Sequence, residues 1–282
     1  MKIDIICPLY NAEKDIENLH NSLLIQKNVD VNKINYILTE SKDNTENKLN
    51  ELNVKYKKIK KEEFSHSLTR EQSAFESEAD ILVFITQDVR IKKDDWLYNL
   101  TKDIEENIAD ACYSRQLCDN NTIEKYTREC NYPEKSKIVS KNDINKLGLK
   151  TFFFSDAASA IRRETFVKLN GYDHKNLPIS EDMYIAYKLI MNGYKIKYCA
   201  DSEVVHSHKF TLKQYYNRYK ETGKFFKEND YLNNYKVNQA GGSMAVYILK
   251  RALQDKNWNV LISFIPNMAA RFIGMKMGKV NG

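Results

Sequence analysis

Residues 80–88 read Asp-Ile-Leu-Val-Phe-Ile-Thr-Gln-Asp (DILVFITQD). Its apolar run, partly β-branched and without alternation, predicts a strand covered on both faces. Such a strand belongs inside a parallel sheet flanked by helices. It ends on the polar pair Gln87 and Asp88. In open α/β sheets ligands bind beyond the carboxyl ends of strands, so the chemistry is sought first at this end.

Moving outward, Lys2–Cys7 (KIDIIC) predicts a buried strand stopped by Pro8, and Ile34–Thr39 a second. Between them Ile16, Leu19, Leu23 and Leu24 fall at helical spacing within residues 12–26. A short helix at 48–52 and a weak strand at 54–59 follow, and Thr69–Gln72 has the form of a capping box ahead of a helix to about Glu78. Another helix is expected at 94–108. Three polar clusters, Pro8–Asn11, Glu40–Thr45 and Gln87–Asp88, thus follow three strands and are expected to meet in space. Residues 115–150 are polar with little periodicity and predict a long excursion or lid. Beyond them come a strand at 157–161, a short helix at 164–169 ending at Gly171, and a helix at 180–192 with Ser180 as N-cap and Gly193 as stop. Strands at 195–199 and 203–205 precede a helical tail from Thr211, with a break around Gly241–Gly242. The expected fold class is α/β, a mostly parallel sheet flanked by helices with a C-terminal helical extension.

The chain has 282 residues, 42% hydrophobic and 29% charged, with nine Gly and four Pro. That supports a sizeable core and excludes disordered and collagen-like classes. No stretch reaches the ~18 uninterrupted apolar residues of a membrane span, and the N-terminal apolar run is too short for a signal peptide, so a cytoplasmic location is expected. Five scattered cysteines without a CxxC pattern read as reduced thiols. The charge is uneven. From Val205 onward there are 13 Lys and Arg against 4 Asp and Glu, whereas the first 204 residues carry 31 against 34. A basic tail suits an anionic partner or a solvated helix face.

Several clusters can carry chemistry. The turn Glu40–Thr45 (ESKDNT) can read base and ribose hydrogen bonds, or can be an Asx-turn before a helix. Asp88 can hold a hard divalent cation bridging a diphosphate. Glu181 and Asp182 open a helix, where the macrodipole favours anions, and Asp182 can be a general base. His206 and His208 lie two residues apart at a strand end and point the same way in an extended chain, so one of them could complete Asp88's site. His66–Arg70 (HSLTR) precedes a helix, and its amides with Arg70 suit a phosphate or nucleobase.

In order, CPLYN, ESKDNT, HSLTRE, FITQDV, SDAASAIRRE, GYDH, SEDM and VVHSH resemble the family-2 inverting glycosyltransferases of the GT-A fold, most closely the bacterial rhamnosyltransferases, over residues 1–225. The resemblance implies a catalytic domain at 1–210, with a nucleotide-binding half at 1–110 and an acceptor-binding half at 111–210, and a basic helical extension at 211–282. It implies a nucleotide-sugar donor, dTDP-rhamnose ahead of a UDP-sugar. Pro8, Tyr10, Asn11, Glu40, Asp43, His66, Arg70 and Gln87 would contact the nucleotide. Asp88 and His206 would bind Mn²⁺ or Mg²⁺, with His208 as the alternative ligand. Asp182 would be the base, and Asp156, Arg163 and Glu181 would sit near sugar and acceptor. Two residues depart from the family pattern: Glu40 stands where Asp is usual, and Glu71 replaces the Asn of a TRN motif. The acceptor is expected to be a saccharide or lipid-linked saccharide of a surface polysaccharide. The tail carries Trp258, Leu261, Ile262, Phe264 and Ile265 near basic residues. It suits an anionic membrane at the inner face of the cell, the catalytic domain, or a second copy of the chain. The other function classes are a non-catalytic nucleotide- or glycan-binding module on the same fold and a nucleic-acid binder; the latter lacks any RNP, KH or zinc-finger pattern.

Overall fold

The structure is a computed structural model and describes residues 1–235 and 237–281, with no side-chain description for 237–241 and 281. Its first half alternates β1 (Lys2–Leu9), α1 (Ile16–Leu24), β2 (Asp30–Thr39), α2 (Thr45–Glu51), β3 (Tyr56–Ile59), α3 (His66–Glu76) and β4 (Ile81–Ile85). These four strands are parallel, in the order β3-β2-β1-β4. β4 meets the expectation for its sequence: all five residues are buried. Leu82 and Phe84 face a cluster with Phe166, Ile185 and Leu189, while Ile81, Val83 and Ile85 face the opposite one with Trp96 and Leu100.

The second half continues with β5 (Arg90–Ile91), α4 (Trp96–Glu105), β6 (Ala111–Leu117), α5 (Ile123–Asn131), β7 (Lys137–Val139), α6 (Ile144–Leu147), β8 (Ala158–Arg162), α7 (Arg163–Lys168), α8 (Glu181–Met191) and β9 (Ile196–Val205). The sheet extends as β4-β8-β6-β9-β5, with β7 also on β9. β8 runs antiparallel to both β4 and β6, so the sheet is mixed. Three helices close the chain: α9 (Leu212–Glu228), α10 (Val237–Gln254) and α11 (Trp258–Asn281).

Several local expectations are corrected. Residues 115–150 are not a lid: they complete β6, form α5 and contribute β7 to the sheet. Three of their polar residues, Glu124, Thr127 and Arg128, line a cleft, and most of the others face solvent. The two strands expected near 200 are one, β9. The helix at 66–76 is capped by Ser65, whose side chain accepts from Leu68 N, so Thr69 lies inside it rather than capping it. Ser180 occupies the N-cap of α8 in a left-handed conformation (φ +63°) and makes no side-chain capping bond. The glycine pair at 241–242 does not break the tail, because α10 runs through it.

α11 lies along α9 at backbone contact. A Cβ on Gly274 would overlap the Tyr216 carbonyl oxygen, and one on Gly278 would overlap that of Lys220. A small cluster of Ile123, Tyr215, Ile248 and Val260 joins α5, α9, α10 and α11. The opposite side of α11 exposes Trp258, Ile262, Ile265, Phe272 and Val280. By length and composition, Trp258–Val280 is apolar enough to cross a membrane, at a mean hydropathy of 1.2. In the structure it packs along α9 with one face only.

The glycine contact gives a direct check. Overpacking a tight interface costs ~1–3 kcal/mol, so Gly274→Ala is expected to lower the melting temperature by several degrees. Gly242→Ala, inside α10 where an added Cβ meets nothing within 4 Å, should not lower it and is expected to raise it slightly through helix propensity.

Candidate active site

A cleft of about 930 Å³ opens beyond the carboxyl ends of β1 and β4. It is lined by residues from both halves of the sheet and from α9 and α11. Gln87 ties the two strand ends together: its Oε1 accepts from Tyr10 N (2.7 Å) and its Nε2 donates to Tyr10 O (2.9 Å). Pro8, Tyr10, Gln87 and Asp88 are all on the wall.

The pairing of β6 with β9 sets Gln116 beside Val204 and carries the chain on to His206, whose N–H bonds to Leu117 O. Here Asp88, His206 and His208 converge, with ligand atoms all within 4.8 Å of one another. Asp88 Oδ2 lies 3.5 Å from His206 Nε2 and 3.6 Å from His208 Nδ1. Arg128 Nη1 donates to Gln116 Oε1. A guanidinium offers only donors, so the amide oxygen faces it. That same oxygen lies 2.9 Å from His206 Nδ1 and therefore takes its proton. His206 Nε2 faces Asp88. Burial, with His206 beside it, pushes the His208 imidazole down to about 4, so it is neutral at pH 7. Burial opposes ionisation of Asp88, but its interactions with His206, His208 and Thr86 outweigh this and hold the carboxyl well below its usual range. One carboxylate and two ring nitrogens facing one point require a positive charge between them: a proton on a ring or a divalent cation. The donor set, one oxygen and two imidazoles, fits Mn²⁺ well and Mg²⁺ less well.

Across the cleft, Asp156, Glu181 and Asp182 gather around one guanidinium. Arg70 is 2% exposed; its Nη1 donates to His66 O (2.8 Å) and to Glu181 Oε1 (3.3 Å). It lines the cleft, but its charge is directed to the acids rather than left free for a phosphate. Asp156 accepts from Ser159 Oγ (2.8 Å) and Tyr172 Oη (2.7 Å). Burial raises its carboxyl to about 6, Arg70 opposing and Glu181 adding to the rise. Asp182 Oδ1 accepts from Met183 N (2.7 Å). Burial first, then the charges of Glu181 and Asp156, raise its carboxyl well above the usual range. A carboxylate raised in this way is a stronger base once ionised. The left-handed Ser180, two residues before Asp182, is the kind of backbone strain that concentrates at functional sites.

Glu71, the departure from TRN, has a structural use. It is 2% exposed, and its Oε1 accepts from Tyr172 N (2.6 Å) and His174 N (3.2 Å) while Oε2 meets His174 Nδ1 (2.9 Å). It therefore clamps the Gly171–His174 turn whose Tyr172 holds Asp156.

The first two polar clusters also meet. Asn11 N donates to Ser41 Oγ (2.9 Å) and Lys42 N to Asn11 Oδ1 (2.9 Å). The carboxylate of Asp43 accepts from Glu13 N, Thr45 N and Thr45 Oγ1. Burial works against its ionisation, but these bonds hold its carboxyl below the usual range. Asp43 is thus engaged in shaping the loop. Glu40 is exposed, with its N–H bonded to Ile59 O (3.0 Å). His66 lines the cleft at the start of α3. Arg163 is elsewhere: its N–H bonds to Asp80 O at the amino end of β4, the opposite end of the sheet from the cleft.

Sequence reasoning missed Gln116 and Arg128, which support His206, and the α9 and α11 residues on the cleft wall. The signal for the first pair was weak, since both stand in a polar stretch without periodicity.

The comparisons with known proteins agree with this geometry. The family model described as Glycosyl transferase family 2 matches residues 4–169. The O-antigen chain rhamnosyltransferase RfbN of Salmonella typhimurium is 33% identical over 99% of this chain and 90% of its own length. The O-antigen chain rhamnosyltransferase WbaN of Salmonella anatum is 36% identical over 78% of this chain and 71% of its own. Among solved structures, S. aureus TarS 1–349 in complex with UDP-GlcNAc superposes at a TM-score of 0.59, with 16% identity, over 100% of this chain and 91% of that one. The mannosyltransferase PcManGT from Pyrobaculum calidifontis in complex with GDP-Man and Mn²⁺ reaches 0.63, with 14% identity, over 99% and 86%. These two likenesses establish the GT-A fold.

Residues that orient a metal-binding histidine are typically worth 10–100-fold in metal affinity. Gln116→Leu is therefore expected to weaken Mn²⁺ binding by that factor in a calorimetric titration, with the fold retained by circular dichroism. Wild-type affinity in the variant would contradict the role given to Gln116.

Proposed function

The chain belongs to glycosyl transferase family 2 and is a glycosyltransferase; we propose that it moves rhamnose from dTDP-rhamnose, with inversion, to a hydroxyl of a saccharide or lipid-linked saccharide in surface-polysaccharide assembly. The observation that carries this reading is one cleft whose lining holds both the Asp88, His206 and His208 cluster and the carboxylate of Asp182. The choice of rhamnose is supported by the likeness, over nearly the whole chain, to a relative named as a rhamnosyltransferase.

In this account Asp182 takes the proton from the acceptor hydroxyl. The hydroxyl oxygen forms its bond to the anomeric carbon as the bond from that carbon to the diphosphate oxygen breaks, and the electron pair leaves with the diphosphate. Asp88 and His206, with His208 in reach, would hold a Mn²⁺ or Mg²⁺ ion, which would supply positive charge to that leaving group when bound. Gln116 and Arg128 hold His206 for that task. Arg70 and Glu181 set the position of Asp182, and Asp156 raises its basicity. Pro8, Tyr10, Asn11, Glu40, His66 and Gln87 frame the nucleotide, with Asp43 shaping the loop. The basic residues near the exposed apolar face of α11, among them Lys256, Lys276 and Lys279, support docking on an anionic lipid surface at the cytoplasmic face of the membrane.

Transfer from dTDP-rhamnose tests the reading. Asp182→Asn is expected to lose about 10²–10⁴-fold in kcat while still being stabilised against heat by the donor. Because the carboxyl is raised, the acid limb of wild-type kcat should lie above the ordinary carboxylate range, with activity falling as pH drops through it. A thermal shift with UDP- or GDP-sugars but not with dTDP-rhamnose would refute the donor assignment. For the lipid surface, the protein is expected to co-sediment with vesicles of phosphatidylglycerol and phosphatidylethanolamine, and Ile262→Ser/Ile265→Ser to remain in the supernatant. Equal sedimentation, or a dimer dissociated by those changes, would refute docking through this face.

A further inference from the structure

The reading above leaves unused two guanidinium groups on the wall that α9 and α11 add to the cleft. Arg271, from α11, is 6% exposed and lines the cleft. Its guanidinium carbon lies 4.4 Å from the ring centre of Tyr215 and 5.5 Å from that of Tyr219. Its Nη1 donates to Tyr219 Oη over a long 3.4 Å, and the Tyr215 side chain is its other polar contact. Its Nε is buried without a partner. No carboxylate pairs with it among the described residues: on this wall Glu124 bonds Arg128 (2.9 Å) and Glu221 bonds Lys224 (2.8 Å). Arg218, exposed and one turn along α9 from Tyr215, lies over Phe210 at 5.1 Å and has no carboxylate partner among the described residues.

Two ring faces do not balance this burial. Cation–π contacts leave the guanidinium's in-plane N–H donors without acceptors, and a buried donor without one is costly. The surplus charge is therefore suited to an anion entering the cleft. The planar fork of Arg matches phosphate oxygens in bidentate fashion. An unbroken run of contacts connects this point to the histidines: His206 to His208 at 4.5 Å, His208 to Phe210 at 4.9 Å, and Phe210 to Tyr215 at 5.4 Å between ring centres. We propose that Arg271, assisted by Arg218, forms a phosphate subsite on the C-terminal wall of the cleft. The proposal rests on the cleft being that of a transferase. The phosphate is either the diphosphate of the donor or a phosphate carried by the acceptor.

The test titrates the full chain with inorganic pyrophosphate in the presence of EDTA, so that the Asp88 group does not contribute through a metal. Wild-type protein is expected to bind, Arg271→Gln to bind about tenfold or more weakly, and Arg271→Lys to fall between. Without anion, Arg271→Gln should melt no lower than wild type, because it removes a buried unpaired charge. Absence of wild-type binding overturns the proposal. So does equal binding by Arg271→Gln, or a destabilised Arg271→Gln with unchanged pyrophosphate affinity, which would make Arg271 a packing residue. Steady-state kinetics then separates the sources: a KM rise in Arg271→Gln confined to the donor identifies its diphosphate, and one confined to the acceptor identifies the acceptor's phosphate. Unchanged KM for both overturns the subsite. The titration uses neither sugar nor acceptor, so it reads the subsite even if the chain moves a different sugar.

Discussion

A single buried guanidinium, that of Arg70, stands among three carboxylates that come from different parts of the chain. Asp156 precedes β8, and Glu181 and Asp182 open α8, while Arg70 itself projects from α3. Breaking a buried pair of this kind costs about 3–5 kcal/mol, so the cluster fixes where α8 begins and hence where Asp182 stands. One positive charge cannot neutralise three acids. The remaining repulsion, added to burial, raises the carboxyls of Asp156 and Asp182. Position and basicity thus come from the same contact.

The opposite wall has the reverse logic. There a carboxylate and two imidazoles face one another, while Arg128 orients Gln116 and through it His206. In the proposed reaction Asp182 removes a proton while the Asp88 group receives positive charge, and displacement of a diphosphate by a hydroxyl requires both. The C-terminal helices belong to this arrangement, because α9 and α11 supply part of the cleft wall. The glycines that bring the two helices to backbone contact also set how far Arg271 reaches.

Much of this was legible in the sequence because the signal was local. An unbroken apolar run announced β4, and strand-end polar residues announced Asp88 and the histidine pair. The acids before an apolar helical run announced α8. What was not legible depended on partners distant in sequence. Gln116 and Arg128 look like solvated residues until β6 pairs with β9. Glu71 reads as a departure from a motif until the Gly171–His174 turn is folded onto it. Asp43 reads as a ligand-binding acid, whereas the N–H of Glu13, from the distant β1–α1 connection, and the N–H and hydroxyl of Thr45 occupy it. Arg163 follows a motif that does reach the cleft, but β8 runs antiparallel to β4 and carries it to the far end of the sheet.

The most direct measurement is anomalous X-ray diffraction from crystals soaked in Mn²⁺ and dTDP. The account predicts a single strong Mn²⁺ peak within bonding distance of Asp88 and His206, with His208 alongside and the diphosphate of dTDP reaching the same ion. A peak among Asp156, Glu181 and Asp182 instead, or bound dTDP with no Mn²⁺ near the histidines, would contradict it.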